Sequence, residues 1–186
     1  MKIGKPVSVH DHKAFAAKHM PYSGHNVEDT KVYTWRLNNW RNLEKRVTSP
    51  EFKCGGQRWR ILLFPFGNSW TKPQTISLYL DYDAKSAPKG WHTHAQFALV
   101  VSNPHDPTIY TVKHAQHRFT WEECDFGFTR FYEWRKLFHV QEGHTRPMIE
   151  GGSVEVTVFV RVLGDPTGLR PPKRSFIRRI YERLTR

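Results

Sequence analysis

Hydrophobic and polar residues alternate with a period of two along much of the chain, which is the pattern of strands with one buried face. The clearest case is the segment 154–162, where five valines occupy every second position. β-branched side chains at this spacing favour the inside of a sheet sandwich. A second half-buried strand is predicted over 31–40, where Tyr33, Trp35 and Leu37 share one face.

Further strands are predicted at 75–82, 91–101 and 109–121, separated by loops rich in glycine, proline and asparagine. The segment 52–66 predicts two strands joined at Gly55-Gly56, and Pro65 ends the second because proline lacks a ladder N–H. Aromatic residues at three- and four-residue spacing predict one short helix over 128–138. Seven or eight short strands with one helix predict an all-β fold, an antiparallel β-sandwich.

Both ends of the chain differ from this pattern. Residues 1–30 contain four histidines with little periodicity, and we expect an extended or partly disordered polar arm. After the sandwich, residues 31–168, comes a linker beginning at residue 169. The end of the chain then predicts an amphipathic helix whose apolar stripe is flanked by basic residues at Lys173, Arg174, Arg178, Arg179, Arg183 and Arg186.

Charge gives this last segment a possible role. The chain has a formal net charge of +12, and residues 170–186 contribute +6 of it. Such a segment favours polyanions, so we expect RNA or an anionic membrane as its partner, with docking on its own domain or on another protein as the alternative. No apolar run approaches membrane-spanning length and only two cysteines occur, which predicts an intracellular protein of the nucleus or cytoplasm.

The segment Cys124-Asp-Phe-Gly-Phe-Thr-Arg-Phe131 follows a predicted strand and carries the most specific chemistry in the chain. An aromatic ring offers a flat apolar platform, and a glycine beside it allows another backbone to come close. An exposed strand edge at this point is suited to bind an extended peptide by strand addition. The alternative is that Phe126 and Phe128 are core residues.

Several motifs occur in the order found in one known family. They are Tyr33-Thr-Trp-Arg-Leu, Trp59-Arg-Ile-Leu-Leu-Phe-Pro, His94-Ala-Gln-Phe, His117-Arg-Phe and Asp125-Phe-Gly-Phe-Thr-Arg-Phe. This order resembles a MATH (TRAF-like) domain over about residues 32–168, and most closely the N-terminal MATH domain of fungal deubiquitinating enzymes of the herpesvirus-associated ubiquitin-specific protease type. In that family the last motif usually reads Asp-Trp-Gly-Phe-Ser/Thr and forms a peptide-binding groove. Phe126 here replaces the tryptophan, keeping the platform but losing the indole N–H donor.

The resemblance implies a set of peptide-binding residues: Asp125, Phe126, Gly127, Phe128, Thr129, Tyr79 and Phe66. Asp125 would accept hydrogen bonds from a ligand serine or backbone amide, and Thr129 would supply a small hydroxyl. Phe66 falls where the animal enzyme has a basic contact residue. Relatives of that enzyme bind segments of the Pro/Ala-x-x-Ser type.

The sequence predicts a binding module and no enzyme, cofactor or metal site. The cysteine box (Gly-x-Thr-Cys) and histidine box of the related proteases do not occur, and neither Cys54 nor Cys124 has the sequence context of a nucleophile. His92 and His94 share a strand face without an obvious third ligand. Two hypotheses follow: a module that reads short peptides in the ubiquitin pathway, or a structural subunit of a ribonucleoprotein or other large assembly. It stays open whether the natural gene continues into a cysteine-protease domain.

Overall fold

In the computed structural model, residues 6–68, 74–83 and 90–165 are described. Along them the chain forms one α-helix, two 3₁₀ turns and nine strands, which build two antiparallel sheets. The α-helix α1 spans His12–His19, and the 3₁₀ turns span Trp40–Asn42 and Trp134–Phe138. The strands are β1 Val27–Leu37, β2 Val47–Thr48, β3 Phe52–Cys54, β4 Gln57–Phe64, β5 Thr75–Tyr82, β6 His92–Ser102, β7 Tyr110–Thr120, β8 Asp125–Glu133 and β9 Val154–Leu163.

The two sheets pack as the predicted sandwich. The first sheet has the order β1-β9-β6-β7, and the second has the order β2-β4-β5-β8 with β3 paired to β4. Strands β7 and β8 follow each other in the chain but end different sheets, so the connection at 121–124 crosses from one sheet to the other. This crossing brings two terminal strands to the same side of the molecule.

The core between the sheets confirms the predicted valine stripe. All five valines of β9, from Val154 to Val162, are at most 3% exposed and belong to one cluster that includes both sheets. Trp59 of β4 packs edge-on against Phe119 of β7 with ring centroids 5.0 Å apart. Its indole Nε1–H donates to the backbone oxygen of Cys54 at 3.1 Å, so the buried ring leaves no unpaired donor.

The expected extended arm at the N-terminus is wrong where the structure describes it. Helix α1 begins behind Asp11, whose Oδ1 accepts from the backbone N–H of Ala14 at 3.1 Å. Phe15 is fully buried and stacks on Phe159 of β9 with ring centroids 4.9 Å apart. The segment therefore covers the outer face of the first sheet. Sequence periodicity missed it because Phe15 is the only buried residue of this eight-residue helix.

The predicted helix over 128–138 is also wrong in most of its length. Strand β8 continues to Glu133, and only a 3₁₀ turn follows. Phe128 stands opposite Leu78 and Tyr132 opposite Ile76, so three β8 residues face a single residue of β5. This bulge lets Phe128 and Phe131 both contact the core although they are three residues apart, a spacing that imitates a helix.

The remaining predictions for the C-terminus lie outside the described residues. They are the linker and the basic helix with Lys173, Arg174, Arg178, Arg179, Arg183 and Arg186. Within the described ranges, no helix has the length and apolar character needed to cross a membrane.

Candidate functional site

Strand β8 is the terminal strand of the second sheet. Within the described residues it pairs with β5 on one side and with no strand on the other. The Nζ of Lys113 donates to the backbone oxygen of Arg130 at 2.7 Å, so one carbonyl group in the second half of β8 already has a hydrogen-bond partner. A terminal strand presents unpaired backbone N–H and C=O groups that can hydrogen-bond another extended chain.

The predicted contact residues divide between the two faces of β8, because successive strand side chains point to opposite sides. Gly127 stands opposite Tyr79, whereas Phe126 and Phe128 stand opposite the core residues Leu80 and Leu78. The outer face therefore carries Asp125, Gly127 and Thr129 together with Tyr79 of β5. The other face turns Phe126 and Phe128 towards β7. We call the outer-face set, Asp125, Gly127, Thr129 and Tyr79, the β8 site.

A small hydrogen-bond network fixes the polar part of the β8 site. The hydroxyls of Tyr79 and Thr129 lie 2.9 Å apart, and Nδ2 of Asn68 donates to the Tyr79 hydroxyl at 2.9 Å. The Oγ of Ser77 donates to the backbone oxygen of Thr129 at 2.6 Å. With the Tyr79 oxygen accepting from Asn68, its proton is free for Thr129, and the Thr129 O–H is then available to a ligand.

Phe66 is not placed with the β8 site by any contact among the described residues. It lies half-buried in the turn after β4, and the ring that meets Tyr79 is Phe64, edge-on at 6.0 Å. Sequence reasoning missed both Phe64 and Asn68. Phe64 belongs to a predicted strand, whose alternation does not show which ring it meets, and Asn68 lies in a loop, where alternation gives no information about neighbours.

Gly127 allows a close contact between two strands of the same sheet. A Cβ at this position would stand 2.2 Å from the Leu78 carbonyl oxygen and 2.6 Å from the Tyr79 Cα. The backbone that comes close to Gly127 here is that of the chain's own strand β5. The glycine allows β8 to lie tightly against β5 and so sets the position of the residues on either side of it.

The two phenylalanines differ in exposure. Phe126 is 38% exposed and stacks on the imidazole of His117 in β7. Phe128 is partly buried against the core, with Nζ of Lys113 located 5.6 Å from its ring centroid. The core alternative therefore describes Phe128 better than Phe126. Burial lowers the pKa of His117 below its ordinary value, although the nearby Glu123 opposes this shift.

Two acidic side chains, Asp81 and Asp125, lie close together at the beginning of β8. Asp81, which is 6% exposed, stands opposite Asp125 and is held by the Arg60 guanidinium at 2.7 Å. Burial raises the pKa of Asp81 despite this partner. Burial, followed by the charges of Asp81 and Asp125, raises the pKa of the Cys124 thiol. Donor atoms of Asp81, Cys124 and Asp125 lie within 4.8 Å of one another, but Arg60 already occupies the Asp81 carboxylate and we assign no metal here.

A family model described as the MATH domain matches residues 32–146. Ubiquitin carboxyl-terminal hydrolase 5 of Schizosaccharomyces pombe is 36% identical over 140 residues, covering 74% of this chain and 12% of the relative. A MATH domain and coiled-coil domain-containing protein of Arabidopsis thaliana is 32% identical over 142 residues, covering 75% of this chain and 45% of the relative. The matched region is thus less than half of either relative.

Among solved structures, Notothenia coriiceps TRAF5 superposes with a TM-score of 0.50 at 14% identity, covering 72% of this chain and 74% of that one. At this identity the likeness concerns the fold alone. It supports the two-sheet sandwich.

Proposed function

Because the chain belongs to the MATH domain family, a family of protein-interaction modules, we propose that it binds a short extended segment of a partner protein along the free edge of β8. The module itself is non-catalytic in this proposal. It selects a partner, and any chemistry on that partner is performed elsewhere. The proposed setting is the intracellular ubiquitin pathway, in keeping with the name of the fission yeast hydrolase relative.

The observation that carries the proposal is the position of β8 as a terminal strand with polar groups arranged on its outer face. A peptide added to this edge would form backbone hydrogen bonds with β8, which supply affinity without sequence preference. Its side chains would alternate, as in any strand. Every second one would lie on the face of the β8 site, and the others would lie towards Phe126.

Specificity would come from the residues on the two faces. Asp125 is exposed and its carboxylate accepts hydrogen bonds, so it suits a ligand hydroxyl or amide. When the Tyr79 hydroxyl donates its proton to the Thr129 oxygen, the Thr129 hydroxyl proton is available to a ligand. On the other face, the exposed part of Phe126 offers apolar contact area. These groups match a small polar residue near an apolar one, so segments of the Pro/Ala-x-x-Ser type are suitable first probes.

The thiol chemistry supports a non-catalytic role. A thiolate, not a thiol, is the nucleophile in cysteine enzymes. The raised pKa of Cys124 keeps it protonated at neutral pH, and burial raises the pKa of Cys54 to about 12. Cys124 lies beside the β8 site, so its protonation matters most for this conclusion.

Fluorescence anisotropy with labelled Ala-x-x-Ser and Pro-x-x-Ser peptides tests the proposal. We expect saturable binding by the wild-type chain and at least about tenfold weaker binding by Asp125→Asn, since a hydrogen bond to a charged group contributes about 1.5–3 kcal/mol. Glu142→Gln, at an exposed position outside β8, is the matched control and should bind as the wild type does. Equal affinity for all three proteins would place the peptide away from Asp125.

A further inference from the structure

The charged side chains along the free edge of β8 are separated by sign. Three exposed carboxylates, those of Glu122, Glu123 and Asp125, lie at the beginning of β8 and in the connection before it, and we call them the acidic end. Further along the strand Arg130 is exposed, and the Nζ of Lys113 in β7 donates to its backbone oxygen at 2.7 Å. We call Lys113 and Arg130 the basic end. At about 3.3 Å per residue, and allowing for the bulge, the two ends lie roughly 15 Å apart.

The fold does not neutralise either end. In the described ranges, Glu122 and Asp125 have no Lys or Arg within salt-bridge distance, and the basic end has no carboxylate within that distance. The third carboxylate, that of Glu123, lies 3.8 Å from Nε2 of His117. Burial lowers the pKa of this imidazole, so at pH 7.5 it does not supply a positive charge to Glu123. Both ends therefore carry charge that is open to a ligand.

Two other pairs of charged side chains beside β8 are compensated within the chain. The carboxylate of Asp81 is bound by the Arg60 guanidinium at 2.7 Å, and Oε2 of Glu133 lies 2.6 Å from Nζ of Lys136. Opposite charges this close cancel each other at longer range. The separation of charge along the edge therefore comes from the acidic end and the basic end.

An exposed aromatic ring adds to the acidic end. Trp121, in the connection between β7 and β8, is 50% exposed. The turn that contains it is fixed by two bonds: the N–H of Thr120 donates to the oxygen of Glu123 at 3.1 Å, and the N–H of Glu123 donates to Oγ1 of Thr120 at 3.0 Å. An indole face attracts cations, and a guanidinium both stacks on such a ring and pairs with carboxylates. The acidic end is therefore suited to an arginine of a ligand.

We propose that the β8 edge selects partner segments that are acidic at their N-terminal end and carry arginine at their C-terminal end. This inference rests on the proposed binding of an extended peptide at β8. Every strand pair in the described chain is antiparallel, and antiparallel pairing is the commoner kind. A ligand strand added antiparallel to β8 places its N-terminal residues at the basic end and its C-terminal residues at the acidic end. Complementary charge then sets both the choice of partner and its direction.

Three labelled peptides with the same Ala-x-x-Ser core test this inference by fluorescence anisotropy at pH 7.5. The acidic-first peptide has two Glu before the core and two Arg after it, the basic-first peptide has the reverse order, and the neutral peptide has Gly at these positions. We expect the acidic-first peptide to bind at least about tenfold more tightly than the basic-first peptide at low salt. Each exposed ion pair changes affinity by about 1.4- to 5-fold, and reversing the order turns attraction into repulsion at both ends. The ratio should approach one in about 1 M salt, because exposed charges are screened.

Two variants assign the effect to the two ends. Arg130→Gln and Glu122→Gln should each reduce the affinity ratio of the two charged peptides at least about twofold and leave binding of the neutral peptide unchanged. Lys18→Gln is the matched control, because Lys18 is exposed on α1, away from β8, and it should leave the ratio unchanged.

The outcomes separate this inference from the proposed function. Equal affinity of the two charged peptides, with the neutral peptide still bound, would overturn charge selection and leave peptide binding in place. Tighter binding of the basic-first peptide would overturn the antiparallel order. An unchanged ratio in both Arg130→Gln and Glu122→Gln would place the charge selection away from β8. Absence of saturable binding by all three peptides would overturn the proposed function and this inference with it.

Discussion

The imidazole ring of His117 lies flat against the phenyl ring of Phe126, with ring centroids 4.2 Å apart and planes inclined by 11°. His117 belongs to the terminal strand of the first sheet and Phe126 to the terminal strand of the second. The pair thus joins the two sheets on the side where a bound peptide would run. Because Phe126 remains 38% exposed, its ring is available to a ligand while His117 fixes its orientation.

Phe126→Ala should lower peptide affinity by about 1–3 kcal/mol, as is usual for an aromatic anchor in an interface. Loss of the stack with His117 should cost about 0.5–1.5 kcal/mol of stability, leaving the fold intact. Anisotropy titration and urea denaturation measure the two effects. Tyr22→Ala, which removes an aromatic side chain that is 88% exposed, is the control and should change neither. An unfolded Phe126→Ala protein would instead identify Phe126 as a core residue.

The position of His117 also predicts how stability depends on pH. Burial depresses its pKa in the folded chain, so between that value and about 6.5 the unfolded chain binds more protons than the folded one. The free energy of unfolding should therefore decrease as pH falls below about 6.5 and change little from this source above it. His117→Gln should reduce the slope.

Urea denaturation at several pH values between 7.5 and 5 checks this. The slope should decrease without disappearing, because burial also lowers the pKa values of His19 and His94. An unchanged slope in His117→Gln would show that His117 titrates alike in both states.

Gly127→Ala should destabilise the second sheet. The added methyl group would meet the Leu78 carbonyl oxygen and the Tyr79 Cα, which are backbone atoms that cannot move aside locally. Overpacking of this kind costs about 1–3 kcal/mol or more. Gly164→Ala is a good control, because its nearest neighbours stand at an ordinary 3.7 Å. Thermal denaturation should show a lower Tm for Gly127→Ala only, and equal Tm values would contradict the close packing of β5 and β8.

The raised pKa values of the two thiols predict that the chain has no activity in a protease assay. With raised pKa values at both Cys54 and Cys124, neither supplies a thiolate at neutral pH. The purified chain should leave a ubiquitin–fluorophore substrate intact. Turnover that disappears in Cys54→Ser or Cys124→Ser would contradict this prediction.

The sandwich was predictable because its strands bury one face, and such burial leaves a period of two in the sequence. The valines of β9 and the Gly55-Gly56 hairpin between β3 and β4 are the clearest examples. Two elements were mispredicted for physical reasons. The β8 bulge gives Phe128 and Phe131 a spacing that is typical of a helix. Helix α1 buries too few residues to produce a periodic hydrophobic pattern in the sequence.

The candidate site was predictable in part. The motif grouped Asp125, Phe126 and Thr129 in one segment but assigned Thr129 to a predicted helix, whereas in the structure all three lie on strand β8. The sequence does not show which of these side chains lie on which face of β8, nor which residues from distant segments contact them. The stack of Phe126 on His117 and the bond from Asn68 to Tyr79 both depend on how sheets and loops meet in three dimensions. Such contacts leave no local pattern.

Hydrogen exchange of the chain with and without the tightest-binding Ala-x-x-Ser or Pro-x-x-Ser peptide tests the central proposal most directly. A peptide added as a strand would slow exchange of the β8 amides, residues 125–133, because it supplies partners for edge groups that are otherwise open to water. Strand β1, the terminal strand of the first sheet on the opposite side, provides the internal control and should exchange at the same rate in both samples. Slower exchange confined to β8, and absent in Phe126→Ala, is the predicted result. Protection of another segment at saturating peptide, with β8 unchanged, would contradict peptide binding at this edge.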